Sequence, residues 1–110
     1  VAIFAPGYRF DESLRTRFDL FVRSIDEKRK ASFAYGDAVG AASIRIVRPL
    51  ALHFWGGVWT VAAWCELRTD FRTFRLDRVG DLALTDDRFV AEPGRALEDY
   101  MARVTADRAK

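Results

Sequence analysis

Between Trp59 and Arg78 the chain sets four aromatic rings, Trp59, Trp64, Phe71 and Phe74, among four guanidinium groups, Arg68, Arg72, Arg75 and Arg78. Arginine forks two donors onto a phosphate or carboxylate, and its planar head stacks on a ring. Aromatic side chains offer unpaired nucleobases a stacking surface that tolerates any base. The combination suits an anionic, planar or phosphorylated ligand. Alternating aromatic and charged residues also describe a half-buried antiparallel strand, so a purely structural reading stands beside the binding one. The local charge favours binding. From Arg45 to Arg78 there are six arginines and no lysine against Glu66, Asp70 and Asp77, although the 110-residue chain carries a formal net charge of only +2. Such an excess creates a positive field in one region without making the chain a polycation.

Other chemistries find little support. Cys65 is the only cysteine and His53 the only histidine. A lone cysteine forms no internal disulfide and fits a reducing compartment, hence a cytoplasmic protein. In a strand, Cys65 reads as a small buried hydrophobe. No spacing sets His53 against it as a base, and one Cys with one His does not make a four-ligand metal site. Neither a motif-bearing acid pair nor a phosphate-binding glycine loop stands out, so no enzyme activity, metal or cofactor is expected. The N-terminal VAIFAPGY lacks the pattern of a signal peptide, and no apolar run approaches the roughly twenty residues that span a bilayer. No membrane partner is expected. The chain begins with Val, which fits a piece of a longer protein whose first ten residues end a linker.

The elements that must position these residues follow from periodicity. Half of the residues are hydrophobic and 14% aromatic, enough for one domain over residues 1–110. Leu14, Phe18, Phe21, Val22 and Ile25 form one apolar stripe, predicting a helix over 11–30 with Asp11 as its cap and Lys28, Arg29 and Lys30 at its C-terminal end. Strands are predicted at 31–35, 42–54, 58–68, 71–76 and 81–85. Turns fall at 36–40, at Gly56-Gly57 and at Thr69-Asp70, with a single 3₁₀-like turn near 77–80. Pro49 lies inside the second strand, where a missing donor requires an edge, a bend or a bulge. The fold class is mostly β: a five-stranded antiparallel SH3/Sm-like barrel over 31–85, preceded by the N-terminal helix. Leu97, Met101 and Val104 predict a C-terminal helix over 93–106.

Strand parity then sorts the candidates. If Ile44, Ile46, Leu50 and Leu52 face the core, Arg45 points outward with Val47, Pro49 and His53. Arg72 shares the apolar parity of Phe74 and Leu76, so it either snorkels to water or lines a polar pocket. Arg75 is expected to be exposed, and Arg78 and Arg68 to pair with Asp77 and Asp70. Three or more of the arginines at 45, 68, 72, 75 and 78 are expected on one face. Trp59 and Trp64 have opposite parity, so one is a surface platform or lies under the N-terminal helix. The hydroxyl of Tyr35 needs a partner. His53 reads as a half-exposed strand residue more than as a ligand contact.

The run WTVAAWCELRTDFRTFRLDRV resembles the central signature of the WYL domain family, with the name-giving Trp-Tyr-Leu reading Trp59-Thr60-Val61. The likeness is carried by Trp64-Cys65-Glu66-Leu67-Arg68, Asp70, Arg72 and Phe74-Arg75-Leu76-Asp77-Arg78. Tyr35, Gly40, Arg45 and Pro49-Leu50 extend it upstream, Phe89 and Leu97–Tyr100 downstream, so that it covers roughly Asp19 to Val104. The resemblance implies a barrel attached behind the winged helix-turn-helix DNA-binding domain of a bacterial transcription regulator. It further implies a non-enzymatic effector sensor for single-stranded nucleic acid or a nucleotide-like anion. The expected ligand surface comprises Arg45, Arg68, Arg72, Arg75 and Arg78 with Tyr35, Trp59 and His53. The alternative is a protein-interaction or homodimerisation module in which these arginines are structural ion pairs. The apolar residues of both flanking helices lead to an expectation of self-association.

Overall fold

The computed structural model describes residues 12–36 and 42–108. Helix α1 (Glu12–Glu27) leads into β1 (Arg29–Gly36), β2 (Ala42–Trp55), β3 (Val58–Cys65) and β4 (Asp70–Arg75). A 3₁₀ turn (Leu76–Arg78) passes to β5 (Val79–Arg88), and α2 (Leu97–Arg108) follows. The five strands form one antiparallel sheet in the order β4-β3-β2-β1-β5. β1 pairs with the next strand in sequence and also with the last, which is how a four-strand meander coils toward a small barrel. The expected fold class holds, with strand β5 longer than the sequence indicated.

Helix α1 ends earlier than its apolar stripe suggested. Lys28 takes a left-handed φ of 53°, and Arg29 already pairs with Arg88 of β5. Arg29 and Lys30 are therefore strand residues, because the sheet recruits their backbone. The Asp11 cap and most of the turn after Gly36 lie outside the described residues. The hairpin at Gly56-Gly57 forms as expected, with φ of 61° and 83°, values that glycine adopts without the Cβ penalty.

The core is a nest of edge-to-face rings. Phe33 and Phe74 centre 5.2 Å apart, Tyr35 and Phe74 5.0 Å, and Phe21 of α1 meets Phe33 at 5.9 Å. Leu14 and Phe21 are buried, and Phe18 packs on Trp59 at 4.9 Å, so α1 covers part of the barrel. Val47, Val61, Cys65, Leu76 and Val79 complete the packing.

The parity of β2 is the opposite of that expected. Ile44 is 66% exposed, whereas Arg45 is only 5% exposed. The pairs Phe33↔Arg45 and Ala31↔Val47 place Arg45 and Val47 on the inner face. The register shifts between Pro49 and Ala51, a bulge that swaps the phase of everything after it. Leu52, opposite Val61, packs against the core together with Val47 despite their odd spacing. Pro49 causes the irregularity expected of it, and that same irregularity made Leu50 and Leu52 misleading guides to Ile44 and Ile46.

Candidate anion-binding site

Arg45 reaches the barrel interior because its strand pairing leaves it no other face. β3 ends at Cys65, which pairs with Val47, so Arg45 lies two residues beyond the last β2–β3 pair. Its Nε donates to Ser43 Oγ at 2.8 Å, and Nη1 donates to Cys65 Sγ at 3.6 Å. Its guanidinium carbon stands 5.9 Å from the centre of the Phe74 ring. The guanidinium carbon of Arg72 is 6.0 Å from the same ring. Among the described residues neither arginine forms an ion pair. A buried cation held only by a hydroxyl, a thiol and a ring face lacks the counter-charge that normally offsets its desolvation.

The other predicted residues are distributed around this pair. Tyr35 is buried against Phe74, and its hydroxyl accepts the Arg75 backbone N–H at 3.0 Å. The Tyr35→Phe variant is expected to lose about 1–2 kcal/mol of stability by leaving that N–H unpaired, measured by urea denaturation. Arg75 pairs with Thr60 in register and lies on the outer face of β4, opposite to Arg72. Arg75, and not Arg78, binds Asp77 at 2.7 and 3.0 Å, and those hydrogen bonds hold the Asp77 carboxyl below its usual range. Arg78 is exposed in the 3₁₀ turn, and Arg68 is exposed in the 66–69 turn without an ion pair among the described residues. Asp70 pairs with Arg103 of α2 instead, which pulls its carboxyl down. The structure thus gathers two of the five arginines around one ring and spreads the other three.

The tryptophans divide as parity required, with different covers. Trp59 is the inward one, half-buried against Phe18 of α1 and Phe54. Trp64 points outward and is buried by the C-terminal segment, not by α1: Arg95 lies 5.0 Å over its ring and Phe71 meets its edge at 5.2 Å. His53 is half-buried on the outer face opposite Thr60, 6.2 Å from the Tyr100 ring. It is separated from Cys65 along the strands, and the two make no catalytic pair.

Sequence reasoning missed an ionic lattice on the outer face. Arg48 is 8% exposed and binds Glu66 at 3.3 Å and Glu92 at 2.9 Å. Lys30 also binds Glu66 at 3.0 Å, and Arg95 approaches Glu92 at 3.7 Å. Together they fasten the segment after β5 across β2 and β3. Nothing local announces it, since Glu92 is 44 residues from Arg48. Burial pushes the Glu66 carboxyl up, but the Lys30 hydrogen bond and the Arg48 charge outweigh it and leave it below its ordinary value. A depressed carboxylate stabilises fully above its unfolded pKa, about 4.3, and the gain disappears as pH falls through the lower folded value. The hydrogen-exchange protection of residues 89–96 is therefore expected to fall on acidification below about pH 4 more than that of β1.

Set beside known proteins, this geometry has clear relatives. The WYL domain family matches residues 16–84, well over half of the chain. Over 79 residues the chain is 34% identical to the uncharacterized HTH-type transcriptional regulator YobV of Bacillus subtilis (strain 168), covering 72% of this chain and 25% of that protein. Its fold is similar to that of proteasome accessory factor B/C (PafBC) of Arthrobacter aurescens, with a TM-score of 0.70 and 26% identity. That likeness spans 81% of this chain and 14% of the other. The chain spans only about a quarter of the curated relative it matches. It belongs to the WYL domain family.

Proposed function

We propose that this WYL domain is the sensing part of a bacterial transcription regulator and binds a negatively charged effector, single-stranded nucleic acid or a nucleotide. The observation that carries the reading is Arg45, a residue only 5% exposed with no carboxylate partner among the described residues, beside Arg72 on the same ring. Arg48 is the internal comparison: almost equally buried, it has two glutamates. Arg48 is neutralised by its glutamates, whereas among the described residues neither arginine at Phe74 forms an ion pair, and Arg72 feels only the more distant charge of Asp70. A phosphate or carboxylate brought to Arg45 and Arg72 supplies the missing charge. The half-buried Arg72 is the more accessible of the two, with Arg68 and Arg78 contributing longer-range attraction. The domain works without chemistry of its own, downstream of a winged helix-turn-helix in a cytoplasmic parent; the regulator YobV, which this chain resembles, supports that context.

A titration of the chain with single-stranded oligonucleotides and with mononucleotides at two salt concentrations tests this. Binding that weakens steeply with salt and falls in the Arg72→Ala variant is expected. Salt-insensitive or absent binding moves the reading to the alternative, an interaction module. One feature favours that alternative: an apolar groove of about 680 Å³ between the end of α1, the Pro49 bulge and α2, edged by Val90, Leu97 and Met101. A concentration-dependent mass without ligand is its signature.

A further inference from the structure

The outer face of the sheet carries a second recess, unlike the arginine pair in every chemical respect. It measures about 390 Å³ and lies between the β2–β3 hairpin, β4 and α2, lined among others by His53, Trp55, Thr60, Thr73 and Tyr100. That volume is in the range of small-molecule sites. No Lys, Arg, Asp or Glu lines it. Trp55 at the hairpin tip is 79% exposed, a large ring left in water with no structural partner to justify it among the described residues. On the opposite side, Tyr100 is held by Phe71 at 5.7 Å and faces His53. The Nε2 of His53 is buried and makes no hydrogen bond among the described residues.

The geometry points to a site for a planar, uncharged nitrogen heteroaromatic ring, the class to which nucleobases belong. Aromatic walls provide the stacking faces. The Thr73 hydroxyl can donate or accept, and the Thr60 hydroxyl, whose hydrogen goes to the His53 carbonyl, can still accept, so the edge matches a ring with both kinds of group. With no Lys or Arg in the lining, the recess gives a phosphate no counter-charge. Thr60 keeps the recess open: its short side chain lies beside His53, and its hydroxyl is turned to the His53 carbonyl at 3.4 Å. A large residue at position 60 fills the space. Thr73 and Arg72 are adjacent on β4 and face opposite sides of the sheet, so this site and the arginine pair bind independently.

The test uses uncharged nucleosides, adenosine and cytidine, titrated into the chain and followed by NMR chemical shifts. Saturable binding that is indifferent to salt is expected, with shifts at His53, Thr60 and Tyr100. The Trp55→Ala variant is expected to weaken it by about tenfold, the loss of one stacking face. Thr60→Tyr is expected to abolish it, while Arg45→Met and Arg72→Ala leave it unchanged. If Thr60→Tyr fails to fold, Trp55→Ala decides the matter, since Trp55 is almost wholly exposed. Failure of both nucleosides to bind at millimolar concentration, or binding unaffected by Trp55→Ala, overturns the proposal. Neither result bears on the anion site, whose probes are charged.

Discussion

Truncating Phe74 to alanine is expected to remove about 3–5 kcal/mol of folding stability, enough to unfold a domain of ordinary marginal stability. Phe74 is fully buried and touches Phe33 and Tyr35 edge-on. Its ring is also the surface shared by Arg45 and Arg72. The variant loses apolar burial, leaves a cavity and removes the ring face from two cations. Chemical denaturation measures the loss. A change under about 1 kcal/mol would mean that the barrel closes around the gap, and that the aromatic nest is not what holds the sheet together.

Arg48→Met is expected to lower stability, whereas Arg45→Met is expected to leave it unchanged or raise it. At Arg45 the charged contacts to Ser43 and Cys65 and the ring contact are lost, each worth about 0.5–3 kcal/mol. Against them stands the desolvation of an unneutralised cation, several kcal/mol, which a methionine of similar length removes. The balance predicts stability unchanged or higher by about 1 kcal/mol. At Arg48 the same substitution strands Glu66 and Glu92. Both keep another basic neighbour and some solvent, so the expected loss is about 1–2 kcal/mol. Parallel urea melts of the two variants check the contrast; equal losses would make Arg45 another structural arginine.

Much of this fold was legible because its determinants are local. The helix α1, the Gly56-Gly57 turn and the β-rich runs each depend on neighbours in sequence. The turn appears where expected and the others with shifted ends, with Val22 of the predicted stripe exposed. The site was less legible, for one physical reason repeated. Arg45 was assigned to the surface because Ile44, Ile46, Leu50 and Leu52 share one parity and together read as the core face. The Pro49 bulge inverts parity between the leucines and Arg45. Whether a bulge consumes its extra residue before or after a proline is decided by pairing with β3, which no local pattern encodes. The partners of Asp70 and Arg48 escaped notice similarly, since Arg103 and Glu92 arrive from the C-terminal segment. Arg72 was the exception. Its apolar parity already marked it as snorkelling or pocket-lining, and it stands beside the Phe74 ring.

The central claim is that Arg45 and Arg72 are held for an anion. Its most direct test is the affinity of the folded chain and of its Arg45→Met variant for one single-stranded oligonucleotide, measured by anisotropy over a range of salt concentrations. The wild type is expected to show a falling line of log affinity against log salt. The variant is expected to bind at least about tenfold more weakly, with a slope shallower by about 0.7 for the phosphate contact removed. A variant that is folded and binds with the wild-type affinity and slope would contradict the account.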